Sequence, residues 1–172
     1  CIRDRAAIAR LNLTGCSLTG GTKTAGWNGS EYTEWEKIDS DMSGFISLCS
    51  VLGKVKEIIL ADCGLGPDSV AELSKVFTNA DAALNSVTVD STGDLPRQKT
   101  YTLTAGEENI DLSSKNLGPA DVTLVAAWLQ RPEVSAVMNS VTVDSTGDTK
   151  DRCGKWNNGG PRTYTLTVAE EK

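Results

Sequence analysis

The chain contains no histidine in its 172 residues. Ser-His and Cys-His nucleophilic pairs, histidine metal ligands and histidine pH sensing are excluded together. No apolar run approaches the roughly 20 residues that a membrane helix needs. The longest, around Val55 to Leu60 and Val122 to Leu129, are core-sized. The five cysteines are an odd number with no CxxC pair, so they suggest neither a zinc site nor a fully paired disulfide framework. At least one thiol is free unless it pairs with another chain. A net charge of −6 argues against nucleic acid and anionic membrane surfaces as partners. The chain opens at Cys1 without Met or a signal peptide, as expected of a chain processed or cut from something longer. "CIRDRAAIARLNL" enters patterned sequence at once, leaving no flexible tether for a lipid-bearing cysteine.

What the sequence does have is repetition. "IARLNLTGCSL" (Ile8 to Leu18) and "VKEIILADCGL" (Val55 to Leu65) superimpose without a gap. Ile8, Leu11, Leu13, Cys16 and Leu18 match Val55, Ile58, Leu60, Cys63 and Leu65. A weaker version is "ENIDLSSKNL", with Ile110, Leu112 and Leu117 in place and Lys115 where Cys would stand. Two more begin at Leu84, Val87, Val89 and at Met138, Val141, Val143. The L-x-L core reads as a short strand with alternate side chains buried. The Cys or Asn follows where the chain turns. "LGPDSVAELSKVF" and "LGPADVTLVAAWL" then put Gly-Pro at a helix start, where proline needs no N–H partner. Val70, Leu73, Val76 and Phe77 fall on one helical face, as do Val122, Val125, Ala126 and Leu129. "SLCSVLGKV" reads as a shorter helix.

This L-x-x-L-x-L-x-x-C-x-L spacing resembles the leucine-rich repeat of the ribonuclease-inhibitor-like kind. The resemblance implies a short α/β solenoid, with parallel strands on one face and helices on the other. It implies one such domain over residues 1–172, or a piece of a longer array. Stacking of the units would then bury what no unit buries alone.

A larger repeat lies over the first. "NSVTVDSTGD" occurs at Asn85 to Asp94 and at Asn139 to Asp148, 54 positions apart. Each is followed by a variable stretch and then "TYTLT", at Thr100 to Thr104 and Thr163 to Thr167. Alternation of Tyr and Leu with Thr reads as a strand. Matching ends with an expandable middle predict β-hairpin excursions over 92–105 and 146–168, besides an insertion over 21–44.

Few residues carry recognisable chemistry. In "WEKIDSDMSGFISLCS", Asp39, Asp41, Ser43 and Gly44 stand at positions one, three, five and six of an EF-hand-like calcium loop. Position twelve is Ser50 in place of the bidentate Glu, so calcium binding is expected to be weak. The plain alternative is a loop leading into the "SLCSVL" helix. "GCSLTGGTKT" departs from a phosphate loop, because Gly21 and Thr22 intervene before Lys23. Cys16, Cys49 and Cys63 read as packing residues, with Cys1 and Cys153 more exposed. The sequons at Asn12 and Asn28 are at chance level, and Asn12 falls in a strand.

Two surfaces are candidate contact sites. "KDRCGKWNNGGPR" gathers basic charge around Trp156, and Arg152 and Trp156 are side chains favoured as interface anchors. The outward strand positions include Arg10, Asn12, Glu57, Ile59, Asp90, Asp111 and Asp144, a small, polar and acidic set. The resemblance makes this face the default binding surface. Nothing in the spacing brings two carboxylates together for acid–base work. The expectation is a non-enzymatic protein-binding or scaffold module, an accessory subunit of a larger assembly, with no cofactor beyond weak calcium. A calcium-responsive module using Asp39, Asp41 and Ser43 is the rival.

Overall fold

A computed structural model describes residues 8–25, 33–78, 83–93, 98–145 and 162–167. The first half of the chain runs β1 (Ile8–Asn12), β2 (Thr22–Ala25), β3 (Thr33–Glu36), α1 (Ser43–Leu52), β4 (Val55–Leu60), α2 (Pro67–Phe77) and β5 (Ser86–Asp90). The second runs β6 (Thr100–Thr104), β7 (Asn109–Asp111), α3 (Pro119–Leu129), α4 (Pro132–Ser135), β8 (Ser140–Asp144) and β9 (Thr163–Thr167). The strands form three sheets, ordered β1-β4-β5-β6, β2-β3 and β7-β8-β9.

Strands β1, β4 and β5 are parallel. Ile8 lies opposite Val55 and Leu11 opposite Ile58, the same pairs that the gapless superposition of the two strings aligns. Ile58, Leu60, Val87 and Val89 point into the core and are fully buried. Each such side chain contributes about 1.5–3 kcal/mol by leaving water.

The leucine-rich-repeat solenoid implied by the spacing is not what the described residues form. A solenoid requires each unit to stack on the next in one continuing series. Here β6 turns back antiparallel along β5, with Val87 opposite Leu103 and Val89 opposite Tyr101. That occupies the edge a further parallel strand would need. β7 opens a separate sheet with β8, and β9 turns back along β8 in its turn. The result is a mixed α/β fold: one mostly parallel four-stranded sheet, two small sheets and, among the described residues, four helices.

The helices join the sheets. α2 packs on α3, and Phe77 meets Trp128 edge to face with ring centroids 5.1 Å apart. One continuous apolar cluster runs from Phe45 and Leu52 through Leu73, Leu84 and Leu103 to Leu124 and Val134. Both α2 and α3 start at a Gly-Pro pair, as their sequences require. The face of α2 is the predicted one, with Val70, Leu73, Val76 and Phe77 buried. α3 is rotated from its predicted face: Asp121, Leu124, Val125, Ala127 and Trp128 are buried while Val122 and Ala126 face water. The cause is polar. Asp121 turns inward to accept four hydrogen bonds, and Trp128 follows it into the core against Phe77.

Candidate functional site

On the strand face proposed for contact, the structure gives most polar groups an internal task. Arg10 Nε lies 3.5 Å from Glu57 across the β1–β4 pair, an exposed ion pair of little energetic weight. Ile59 is half-buried beside them. Asn12 Oδ1 accepts from Thr14 N at 3.0 Å and from Thr14 Oγ1 at 2.7 Å. Asp111 Oδ1 accepts from Ser113 N at 2.9 Å, and that backbone bond holds its carboxyl below the ordinary carboxylate value. Both are side chains closing a turn on their own backbone.

Asp90 and Asp144 are matching pieces of the two modules. Asp90 accepts from Asp62 N and, at 2.6 Å, from Thr100 Oγ1. Asp144 accepts from Ser114 N at 2.6 Å and from Thr163 Oγ1 at 2.7 Å. Each carboxylate ties its own antiparallel partner strand to the turn of the preceding unit. Asp62 and Ser114 sit in those turns with positive φ of 57° and 58°. Thr88 and Thr102 pair at 2.9 Å, as Thr142 and Thr165 do at 3.0 Å. Arg152 and Trp156 lie outside the described residues.

The EF-hand-like stretch is used for capping. Ser43 to Ser50 are helical, within α1. Asp41 Oδ1 accepts from Ser43 Oγ at 2.6 Å and Ser43 N at 3.0 Å, and these bonds lower its carboxyl from the ordinary value. Asp39 points elsewhere, to the start of α2, where the N-terminal residue is Gly66 and has no side chain to offer. Asp39 Oδ1 accepts from Gly66 N at 3.2 Å; Oδ2 accepts from Asp68 N at 2.9 Å and Ser69 N at 3.3 Å. A carboxylate from another element thus satisfies three N–H groups of a helix N-terminus. Among the described residues, no three Cys, Asp or Glu side chains gather in a way that could hold a metal ion.

The β2–β3 hairpin docks on the turn after β4. Trp35 Nε1 donates to Asp62 Oδ1 at 3.2 Å, Lys23 pairs with Asp62, and the Lys23 ammonium stands 5.1 Å from the Trp35 ring centre. Gly64, at φ 63°, permits this: a Cβ there would lie 2.6 Å from Trp35 Cε3. Cys49 and Cys63 are buried, and burial pushes their thiols up to about 12 and about 11. Cys16 is exposed.

The feature that sequence reasoning missed is a contrast between two identical strings. In the first TYTLT, Tyr101 is 2% exposed and Leu103 is fully buried. In the second, Tyr164 is 49% exposed and Leu166 is 67% exposed. The inner bonds of the two hairpins agree. Ser91 N donates to Lys99 O at 3.0 Å and Ser145 N to Arg162 O at 2.7 Å, while Lys99 N and Arg162 N each donate 3.0 Å to the matching serine hydroxyl. What differs is the cover. The unit β7–α3 lies over the first hairpin, with Asp121 receiving the Tyr101 hydroxyl at 3.0 Å. Both β6 and β9 stand at the edge of their sheets, but among the described residues no unit lies over β9 as β7–α3 lies over β6. A signal for this cover was in the sequence: Asp121, the one charged residue of α3, three places after Gly118.

Among the described residues no helix is long and apolar enough to cross a membrane. No family model, no curated protein and no solved structure matches this chain.

Proposed function

We propose that this protein is a non-enzymatic protein-binding or scaffold module, an accessory subunit of a larger assembly, and that it makes contact through β9. The observation that carries this reading is the exposure of Tyr164 and Leu166 on an edge strand. An edge strand offers unpaired backbone N–H and C=O groups, which another chain can extend. Large apolar side chains on the same strand supply contact area that water does not reward. Tyr adds a ring with a polar tip, a favoured interface anchor.

The polar strand face supports the reading less well. Asn12, Asp90, Asp111 and Asp144 already hold turns and hairpins in place. Arg10, Glu57 and Ile59 remain as the outward contact group at the β1–β4 end. The test is the native size of the protein in an extract of its source, for the natural chain and for Leu166→Asp. A defined large particle that the substitution dissolves is expected. A natural protein eluting as a lone monomer would overturn the reading.

A further inference from the structure

The molecule contains its own example of what covers a TYTLT hairpin. Over the first hairpin, Tyr101, Lys99 and Thr92 find their partners in the unit that follows. Tyr101 OH donates to Asp121 Oδ1 at 3.0 Å, and Lys99 Nζ donates to Ser114 O at 2.8 Å. Thr92 N and Thr92 Oγ1 donate to Asp121 Oδ2 at 2.7 and 2.8 Å. The approach is close enough to require glycine: a Cβ on Gly118 would lie 2.8 Å from Thr92 Oγ1 and 2.9 Å from Thr92 O. Leu103 and Leu112 are buried beneath this contact.

Among the described residues, the second hairpin presents three matching groups. Tyr164 stands for Tyr101, Leu166 for Leu103, and Arg162, a longer donor of the same sign, for Lys99. Tyr164, Leu166 and Arg162 are exposed. We infer that the β9 face is an acceptor for a strand–turn–helix unit of β7–α3 chemistry on a partner polypeptide. The partner's turn supplies a carbonyl to Arg162. Its helix, opening at Gly-Pro, supplies an acidic residue at the third helical position, counted from the proline, to the Tyr164 hydroxyl. This rests on the reading of β9 as a contact face and specifies what the contact is.

The probe is the polypeptide of residues 1–172 joined at Lys172 to a second stretch of its own residues 110–137. Five residues separate Thr104 from Ile110, and five, Val168 to Lys172, would separate Thr167 from the appended isoleucine, so the spacing is kept. Amide hydrogen exchange is read over 163–167. Burial of the strand is expected to slow exchange there by about tenfold or more against the natural chain. Asp121→Ala made only in the appended stretch is expected to reverse most of the protection, and Tyr164→Phe part of it. Unchanged exchange in β9 overturns the inference, as does an appended unit that stays unstructured. So does equal protection from an appended stretch of scrambled sequence. If these fail while Leu166→Asp still dissolves the native particle, the partner's chemistry is wrong and the contact face stands.

Discussion

Tyr101 donates its hydroxyl hydrogen to Asp121 Oδ1 across 3.0 Å, with both side chains out of water. Asp121 Oδ2 also accepts from Gly118 N, Thr92 N and Thr92 Oγ1. One carboxylate therefore ties strand β6, the end of β5 and the start of α3 together. Asp121→Ala leaves several buried donors without an acceptor and is predicted to cost about 3 kcal/mol. Tyr101→Phe removes one of four bonds and is predicted to cost about 1 kcal/mol. Urea unfolding of both variants checks this; equal losses would mean the carboxylate is not the hub.

Alkaline pH should weaken the fold. Burial, followed by the Asp121 charge, raises the Tyr101 phenol well above its ordinary 10.0, and burial raises the Cys49 and Cys63 thiols to about 12 and about 11. The unfolded chain releases these protons at ordinary values while the folded chain holds them. The stabilisation is therefore complete below about pH 9 and is lost as pH rises through the folded values. The urea midpoint is predicted to fall steadily between about pH 9 and about pH 11. A flat profile across that window would contradict the assignment.

Asp39 is predicted to be a helix cap first. Asp39→Ala should cost about 1–2 kcal/mol by freeing Asp68 N and Ser69 N at the start of α2, while Gly66 N keeps the Ser69 hydroxyl at 2.8 Å. Asp41→Ala should cost less, because it releases only Ser43. Calorimetric titration with calcium is expected to give no affinity tighter than about millimolar, since Ser50 cannot supply a bidentate carboxylate. Micromolar affinity would restore the calcium-responsive reading.

The two TYTLT strings allow a matched comparison. Leu103→Ala should cost about 3 kcal/mol, the usual range for a buried leucine. Leu166→Ala should stay within about 0.5 kcal/mol in the isolated chain. Similar losses at the two positions would mean that Leu166 is covered in solution.

Much of the local structure could be read directly. The strands at Ile8, Val55 and Ser86 follow from alternating apolar residues, and their register follows from matching Ile8 to Val55. The Gly-Pro helix starts were equally plain. The global fold was not, because a repeat spacing reports each unit and says nothing of how units join. The TYTLT strands could have projected from a continuing stack; they lie instead along the edges of β5 and β8. Polar roles were hidden for a similar reason. Asp39 acts on Asp68 and Asp90 on Asp62, partners distant in sequence that only the fold brings near. The exposure of Tyr164 was hidden too, since identical strings carry no mark of what covers them.

The most direct test of the account is the particle that carries this protein in its source. Its size, compared between the natural chain and Leu166→Asp, asks whether the exposed β9 strand is a contact. The account predicts a large, defined particle for the natural chain and release of the variant at the mass of the single chain, with its circular dichroism unchanged. A variant that stays in the particle, or a natural chain that elutes alone, would contradict it.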